Sequence, residues 1–253
     1  MSGLNDRPDT DHRDAAGCPP PVAVPTISVV IPTLDEQARI EDCLRHLRRM
    51  SGLSEIVVVD GGSSDRTVEL AGTFEGVRVL RGPRGRGSQM NAGAAAATGD
   101  FLLFLHADVR LPEDAAAWVV RLLDDAGTVA GAFRTWTVDD RRRFRWPAPW
   151  LHLADLRSRY SRLPYGDQAL FVRAAVFREL GGYAPVPLME DLDFSRRLRV
   201  AGRIRVAPVS VIVSGRRFLK RPIYYFLVMN FLPLLYRLGV PPRILVKLYA
   251  NVR

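Results

Sequence analysis

Hydrophobic positions along the chain follow two rhythms, and the change between them sets the predicted fold. In the first half, short unbroken apolar runs alternate with segments whose apolar positions recur every three or four residues. Residues 27–31 are a β-branched run expected to stop at Pro32, 56–60 form a second run, 77–80 a short third and 101–105 a fourth. Runs of this length read as parallel strands buried on both faces. Between them, 36–50 carries Ile40, Leu44 and Leu47 at helical spacing. Ser63 or Ser64 can cap a helix through Leu70, with Asp65 in its first turn. The Gly/Arg loop 82–87 leads into a small-residue helix over 88–97, and 112–125 reads as another helix. Strand–helix alternation predicts a parallel, doubly wound sheet.

The second half is less regular. Residues 129–137, 168–172, 204–206 and 209–213 read as strands, and 190–200 as a helix. Residues 141–165 are rich in Arg and Trp, and 222–238 is strongly apolar but contains Asn230 and Pro233. No internal repeat is visible.

Composition narrows the picture. The 253 residues, 47% hydrophobic, suffice for one large domain or a domain with an appendage. Residues 1–26 lack an apolar core segment and read as a disordered tail, not a signal peptide. The net charge of +9 favours anionic partners such as a nucleotide, a phospholipid surface or nucleic acid. Arginine supplies all but two of the bases, Lys220 and Lys247. Cys18 and Cys43 make no disulfide framework, which points to a reducing cytosol.

The candidate chemistry sits at strand ends. The second run closes in Asp60-Gly61-Gly62 and the fourth in His106-Ala107-Asp108. In open α/β sheets ligands bind beyond the carboxyl ends of the strands, so acids there face a ligand crevice. The loop 82–87 matches neither phosphate cradle: no Gly-Lys-Ser/Thr follows, and Met90 stands where a dinucleotide fingerprint needs glycine.

Taken in order, Ile31-Pro32-Thr33-Leu34-Asp35-Glu36, Val59-Asp60-Gly61-Gly62-Ser63-Ser64-Asp65, Gly85-Arg86-Gly87-Ser88-Gln89-Met90-Asn91, His106-Ala107-Asp108 and Met189-Glu190-Asp191-Leu192-Asp193 resemble the family 2 glycosyltransferases of GT-A fold. The likeness is to a bacterial branch with His-Ala-Asp in place of the Asp-X-Asp metal motif, and it covers roughly 27–215. It implies a GT-A domain over 27–215 with a C-terminal helical appendage over 216–253. The implied activity is an inverting, metal-dependent transfer of a sugar from a nucleotide-diphosphate donor, UDP-linked, to an acceptor hydroxyl.

Roles carry over residue by residue. Pro32, Thr33 and Glu36 would line the nucleoside pocket, and Asp60 would accept a hydrogen bond from the uracil ring N–H. Arg86 and Asn91 would hold the base and ribose side, and Arg216 and Arg217 the diphosphate or, equally, a lipid headgroup. Asp108, with His106, would hold Mg²⁺ or Mn²⁺. Asp191 would be the general base. Gly166, Asp167, Gln168 and Glu190 would border the acceptor and sugar.

Plain structural alternatives stand beside these roles. Asp60 could cap its own turn, Asp167 another, and His106 could be a turn residue or a phosphate contact. Glu190 and Asp191 could be acids favoured by a helix N-terminus, and Arg141, Arg142, Arg143 and Arg145 a solvated face. Residues 222–236 are too short to span a bilayer and fit an in-plane helix at a cytoplasmic membrane surface, or a core or homodimer helix. A lipid-linked acceptor is compatible with the former. Three rival functions remain: a nucleotidyltransferase, without its triphosphate loop after the first strand; a non-catalytic nucleotide-sugar binder; and a nucleic-acid module, for which no recognition helix or stacking platform is visible.

Overall fold

The computed structural model describes residues 24–138, 155–156, 158–159, 163–215 and 222–250. Its first half alternates as the pattern predicts: β1 (Ile27–Thr33), α1 (Ile40–Leu47), β2 (Glu55–Asp60), α2 (Thr67–Gly72), β3 (Val77–Arg81), α3 (Arg86–Ala96), β4 (Phe101–Phe104), β5 (Val109–Arg110) and α4 (Ala115–Asp124). There follow β6 (Thr128–Val138), a 3-10 turn (Gly166–Gln168), β7 (Phe171–Arg173), α5 (Ala174–Glu179), α6 (Glu190–Ala201), β8 (Arg203–Ser214), α7 (Pro222–Arg237) and α8 (Pro242–Ala250).

The strands form one sheet in the order β3-β2-β1-β4-β7-β6-β8-β5. β3, β2, β1 and β4 are parallel. β7 runs antiparallel to both β4 and β6, β8 is parallel to β6, and β5 is antiparallel to β8. The sheet is therefore mixed, with its parallel part in the first half.

Side-chain alternation builds a core on each face. Ile27, Val29 and Ile31 of β1 pack with Ile40, Leu44 and Leu47 of α1 and Val119 and Leu123 of α4. Val30, Val57, Leu102 and Phe104 face the other way, onto Met90 and Ala94 of α3 and Phe194 and Leu198 of α6. α3 can lie this close to β1 because of Gly93: a Cβ there would collide with Val30 Cγ1 and come within 3.0 Å of Val59.

Several sequence expectations are corrected. Pro32 does not stop β1, which runs on to Thr33 with Pro32 opposite Val59. α2 starts at Thr67 rather than at a serine cap, because Ser63 and Ser64 are engaged with Asp60 and Asp35. Residues 166–168 form a turn, and the strand expected at 168–172 is only Phe171–Arg173; Ala169 between them takes a left-handed φ of 47°. The two strands expected at 204–206 and 209–213 are one long β8, with a register shift against β6 between Ala132 and Arg134. β5 and α5 have no counterpart in the sequence reading, and α8 falls within the appendage expected to be helical.

Candidate active site

Three loops meet at the carboxyl edge of the parallel strands. The loop after β1 and the loop after β2 are stitched together. Asp35, held at φ 53°, accepts hydrogen bonds from the Ser64 N–H (2.8 Å) and hydroxyl, while the Asp35 N–H donates to Ser63 Oγ (2.9 Å). The Glu36 N–H donates to Thr67 Oγ1 (2.8 Å), and the Gln37 N–H to Asp65 Oδ2 (3.1 Å). Asp65 also accepts the Thr67 N–H and hydroxyl. Gln89, on α3, donates both amide hydrogens of Nε2 into the gap, to the carbonyls of Thr33 (2.7 Å) and Val59 (2.8 Å).

Asp60 ends β2 in register with Thr33 and is only 2% exposed. Its carboxylate accepts the N–H groups of Gly62 (2.9 Å) and Ser63 (3.0 Å) and the Ser63 hydroxyl. It thus caps its own turn. Pro32 and Thr33 are also buried, so the part of β1 that reaches the edge is largely backbone.

Next to β1, β4 ends in His106-Ala107-Asp108, a turn closed by the Val109 N–H on the His106 carbonyl (3.0 Å). Here the second half of the chain arrives. A Cβ on Gly166 would sit 2.9 Å from His106 Nε2 and 3.4 Å from Asp191 Oδ2. The Gly166 N–H donates to that Asp191 oxygen at 2.8 Å. The 3-10 turn, the first turn of α6 and the end of β4 therefore close on one point, where any side chain on residue 166 would make the His106 ring give way. Asp108 lies toward α1: burial first, and then the negative charges of Asp108 and Glu36, push the Cys43 thiol up to about 12.

A second group lies beside this point. Arg86, at the start of α3, pairs with Glu190 at 3.3 Å. Glu190 is 2% exposed; burial, reinforced by the charge of Asp191 and opposed by Arg86, raises its pKa. Asn91 is committed to backbone: its amide donates to the Tyr183 carbonyl and accepts the Tyr183 N–H, both at 2.8 Å. Tyr183 itself, buried in the Phe104–Phe177–Phe194 cluster, has its hydroxyl pushed well up by burial and then by the Asp191 and Glu190 charges. Gln168 is a buried brace, donating to the Phe133 carbonyl (2.9 Å) and accepting the Tyr165 N–H (3.0 Å). Asp167 stands one residue before it in the same turn.

The structure thus brings His106, Gly166 and Asp191 together, with Arg86 and Glu190 adjacent, and sets Asp60 and Asp108 on the same edge. Arg216 and Arg217 lie outside the described residues, as do Cys18 and the arginines 141–145. Sequence reasoning missed Gln89, Asp35, Asp65 and Tyr183. The Asp-Glu and Ser-Asp pairs beside the strand ends were a visible signal for the stitched loops, since Asx and Ser side chains favour such turns; nothing local marks Gln89.

The donors at the end of β4 are one imidazole and one carboxylate, and among the described residues no three His, Cys, Asp or Glu side chains are grouped to hold a metal. That set fits an ion that draws most of its oxygens from a bound diphosphate, as Mg²⁺ does in many phosphate sites. It does not fit a metal caged by protein.

A family model for Glycosyl transferase family 2 matches residues 28–181. A PGL/p-HBAD biosynthesis glycosyltransferase of Mycobacterium bovis is 32% identical over 188 residues, 70% of this chain and 70% of that protein. An undecaprenyl-phosphate 4-deoxy-4-formamido-L-arabinose transferase of Pseudomonas paraeruginosa is 32% identical over 149 residues, 54% of this chain and 44% of its own. Among solved structures, glucosyl-3-phosphoglycerate synthase from Mycobacterium tuberculosis, in complex with Mn²⁺, UDP and glucosyl-3-phosphoglycerate, superposes with a TM-score of 0.57 at 23% identity, covering 86% of this chain and 81% of that one.

Proposed function

The chain belongs to glycosyltransferase family 2, and from that premise we propose that it moves a sugar from a UDP-linked donor to the hydroxyl of a lipid-linked acceptor, with inversion at the anomeric carbon. It is an enzyme of the glycosyltransferase type, with the GT-A fold. The single observation that carries the finer reading is the closure of His106, Gly166 and Asp191 on one point beside the β1 and β2 loops.

The stitched loops after β1 and β2 give the nucleoside a preformed wall of backbone and buried acid, with Asp60 next to Thr33. Asp191 sits at the first turn of α6. Its Oδ2 accepts the Gly166 N–H and its Oδ1 the Leu192 N–H, and each oxygen keeps a lone pair for a further donor. That oxygen takes the proton of the acceptor hydroxyl; the hydroxyl oxygen bonds the anomeric carbon from one face, and the bond to UDP breaks on the other, its electrons leaving with the diphosphate. One base and no protein nucleophile give a single displacement. Asp108, assisted by His106, would hold Mg²⁺ or Mn²⁺ on the diphosphate, where a divalent ion stabilises the negative charge that develops on departure. Arg86 and Glu190 border the sugar. The donor class is supported by the UDP bound to the related fold, and the acceptor class by the undecaprenyl-phosphate transferase relative. We take 27–215 as the transferase domain, 216–253 as its helical appendage, and a reducing cytoplasm as its setting.

Asp191→Asn is expected to bind UDP as the wild type does and to lose roughly 10²–10⁴-fold in transfer; Asp108→Ala should abolish the gain in UDP affinity that Mn²⁺ brings. Titration calorimetry with and without Mn²⁺, together with a UDP-release assay, reads both. Wild-type turnover in Asp191→Asn would remove that residue as base and turn attention to an acceptor already ionised, such as a phosphate.

A further inference from the structure

α7 has two apolar faces, and the described residues cover one. Leu232 is 4% exposed and packs, with Leu235 and Tyr236, against Met189 and Leu192, the residues on either side of Glu190 and Asp191. Leu245 of α8 joins the same cluster. On the other side, Leu227, Phe231 and Leu234, continued by Leu238 just past the helix, recur at spacings of four, three and four and stand exposed, Phe231 at 53% and Leu238 at 72%. Ile244 of α8 is exposed too. Such spacing is one stripe along a helix. Exposed apolar residues scattered singly are ordinary; a continuous stripe is a surface that meets something.

Charge indicates what it meets. All 27 acidic residues lie at or before Asp193, whereas 13 of the 36 Lys and Arg residues follow it. The net +9 of the chain is thus made entirely by its last quarter. Arg237, Arg243 and Lys247 are exposed beside the stripe, and no carboxylate within α7 or α8 offsets them. A second copy docked stripe to stripe through a two-fold axis would bring these cations against themselves, which is unfavourable. A surface that is apolar inside and anionic at its rim meets both demands. No helix among the described residues is long and apolar enough to cross a membrane, and α7, 16 residues long with Pro233 inside it, suits an in-plane position.

We infer that the outer face of α7 and α8 is a docking surface for an anionic lipid bilayer. Leu227, Phe231, Leu234, Leu238 and Ile244 enter the acyl boundary while Arg237, Arg243 and Lys247 meet the headgroup phosphates. The inner face of the same helix then fixes the first turn of α6 at a set height over the lipid. The inference stands without any assignment of catalytic roles.

Flotation of the full chain with vesicles tests it. Wild type should float with phosphatidylcholine mixed with an equal part of phosphatidylglycerol, not with phosphatidylcholine alone, and should detach as salt is raised. The pair Phe231→Asp with Leu234→Asp should lose about tenfold or more of the binding. So should the triple Arg237→Gln, Arg243→Gln, Lys247→Gln, which keeps the apolar stripe and decides the matter if the Asp pair melts early. Val200→Asp, at an exposed apolar residue of α6 (91%), should float as wild type does. Failure of wild type to float, or unchanged flotation of the charge triple, overturns the proposal. So does light scattering that shows a dimer dispersed by the Asp pair. UDP release from donor in the absence of lipid is read separately, so a failed docking surface and a failed transferase reading give different results.

Discussion

The two flanks of the candidate site are built in opposite ways. On the donor flank, the loops after β1 and β2 satisfy each other: Asp35, Asp65, Ser63, Ser64 and Thr67 exchange hydrogen bonds across the gap, and Gln89 braces it from beneath. On the acceptor flank, Asp191 is anchored to the 3-10 turn through the Gly166 N–H, and the close approach of His106 depends on a residue without a side chain. The outer bonds, between Asp35, Ser63 and Ser64, are at the surface, but they rest on buried Thr67 and Gln89, and satisfied polar groups in the interior rigidify what they hold. The donor flank is therefore prepared before any ligand arrives, whereas the acceptor flank depends on the fit of a few atoms. Damage to the first should be read in stability, and damage to the second in rate.

Gly166→Ala gives the largest effect and the sharpest test of this contrast. Its methyl must displace His106 or Asp191, and misplacement of a reacting group by about 1 Å costs on the order of a hundredfold in rate. Metal-free UDP affinity and melting temperature should stay near wild type; a melting temperature that falls along with the rate would erase the distinction. Gly93→Ala should do the reverse. Its Cβ meets Val30 and Val59 in the core beneath the donor flank, an overpacking expected to cost roughly 1–3 kcal/mol in urea unfolding. The smallest effect is at Glu55, at the amino end of β2. Burial opposes its ionisation, but bonds from Ser28 Oγ (2.7 Å), the Thr98 N–H (3.0 Å) and Arg78 (2.5 Å) outweigh that and hold it below its ordinary 4.5. A carboxylate depressed on folding contributes stability that is complete above its unfolded pKa and disappears as pH falls through the lower folded value. Glu55→Gln should thus be less stable by about 1 kcal/mol at neutral pH, with the gap closing below about pH 4. A gap that does not change with pH would show that the charge of Glu55 contributes nothing.

How much could be read beforehand divides along the same line. β1, β2 and β4 and the acids that end them were legible because a parallel strand buried on both faces leaves an unbroken apolar run, and its first polar residue marks the edge. Asp60, His106 and Asp108 were found that way. The pattern starts a strand at Gln168 because Ala169-Leu170-Phe171-Val172 is apolar. What shortens that strand is Gln168, which accepts the N–H of Tyr165 and donates to Phe133, a contact 35 residues away that no local pattern records. The pattern separates 204–206 from 209–213 at Ala207-Pro208, but Pro208 falls where the pairing with β6 shifts register and its missing N–H is tolerated. The three-way approach of His106, Gly166 and Asp191 joins segments that only the folded chain makes neighbours.

Gln89 is a clamp. One amide nitrogen spans the carbonyls of Thr33 and Val59, and so clamps from the α3 side two strand ends that the ladder already pairs through the Gly61 N–H on the Thr33 carbonyl. Glutamate there would aim oxygen at oxygen, and asparagine would fall a methylene short. Gly61, whose Cβ would come 2.9 Å from that amide, is tied to the same clamp. The clamp and the bare backbone beside it therefore belong together, and a change at either position has to reckon with the other.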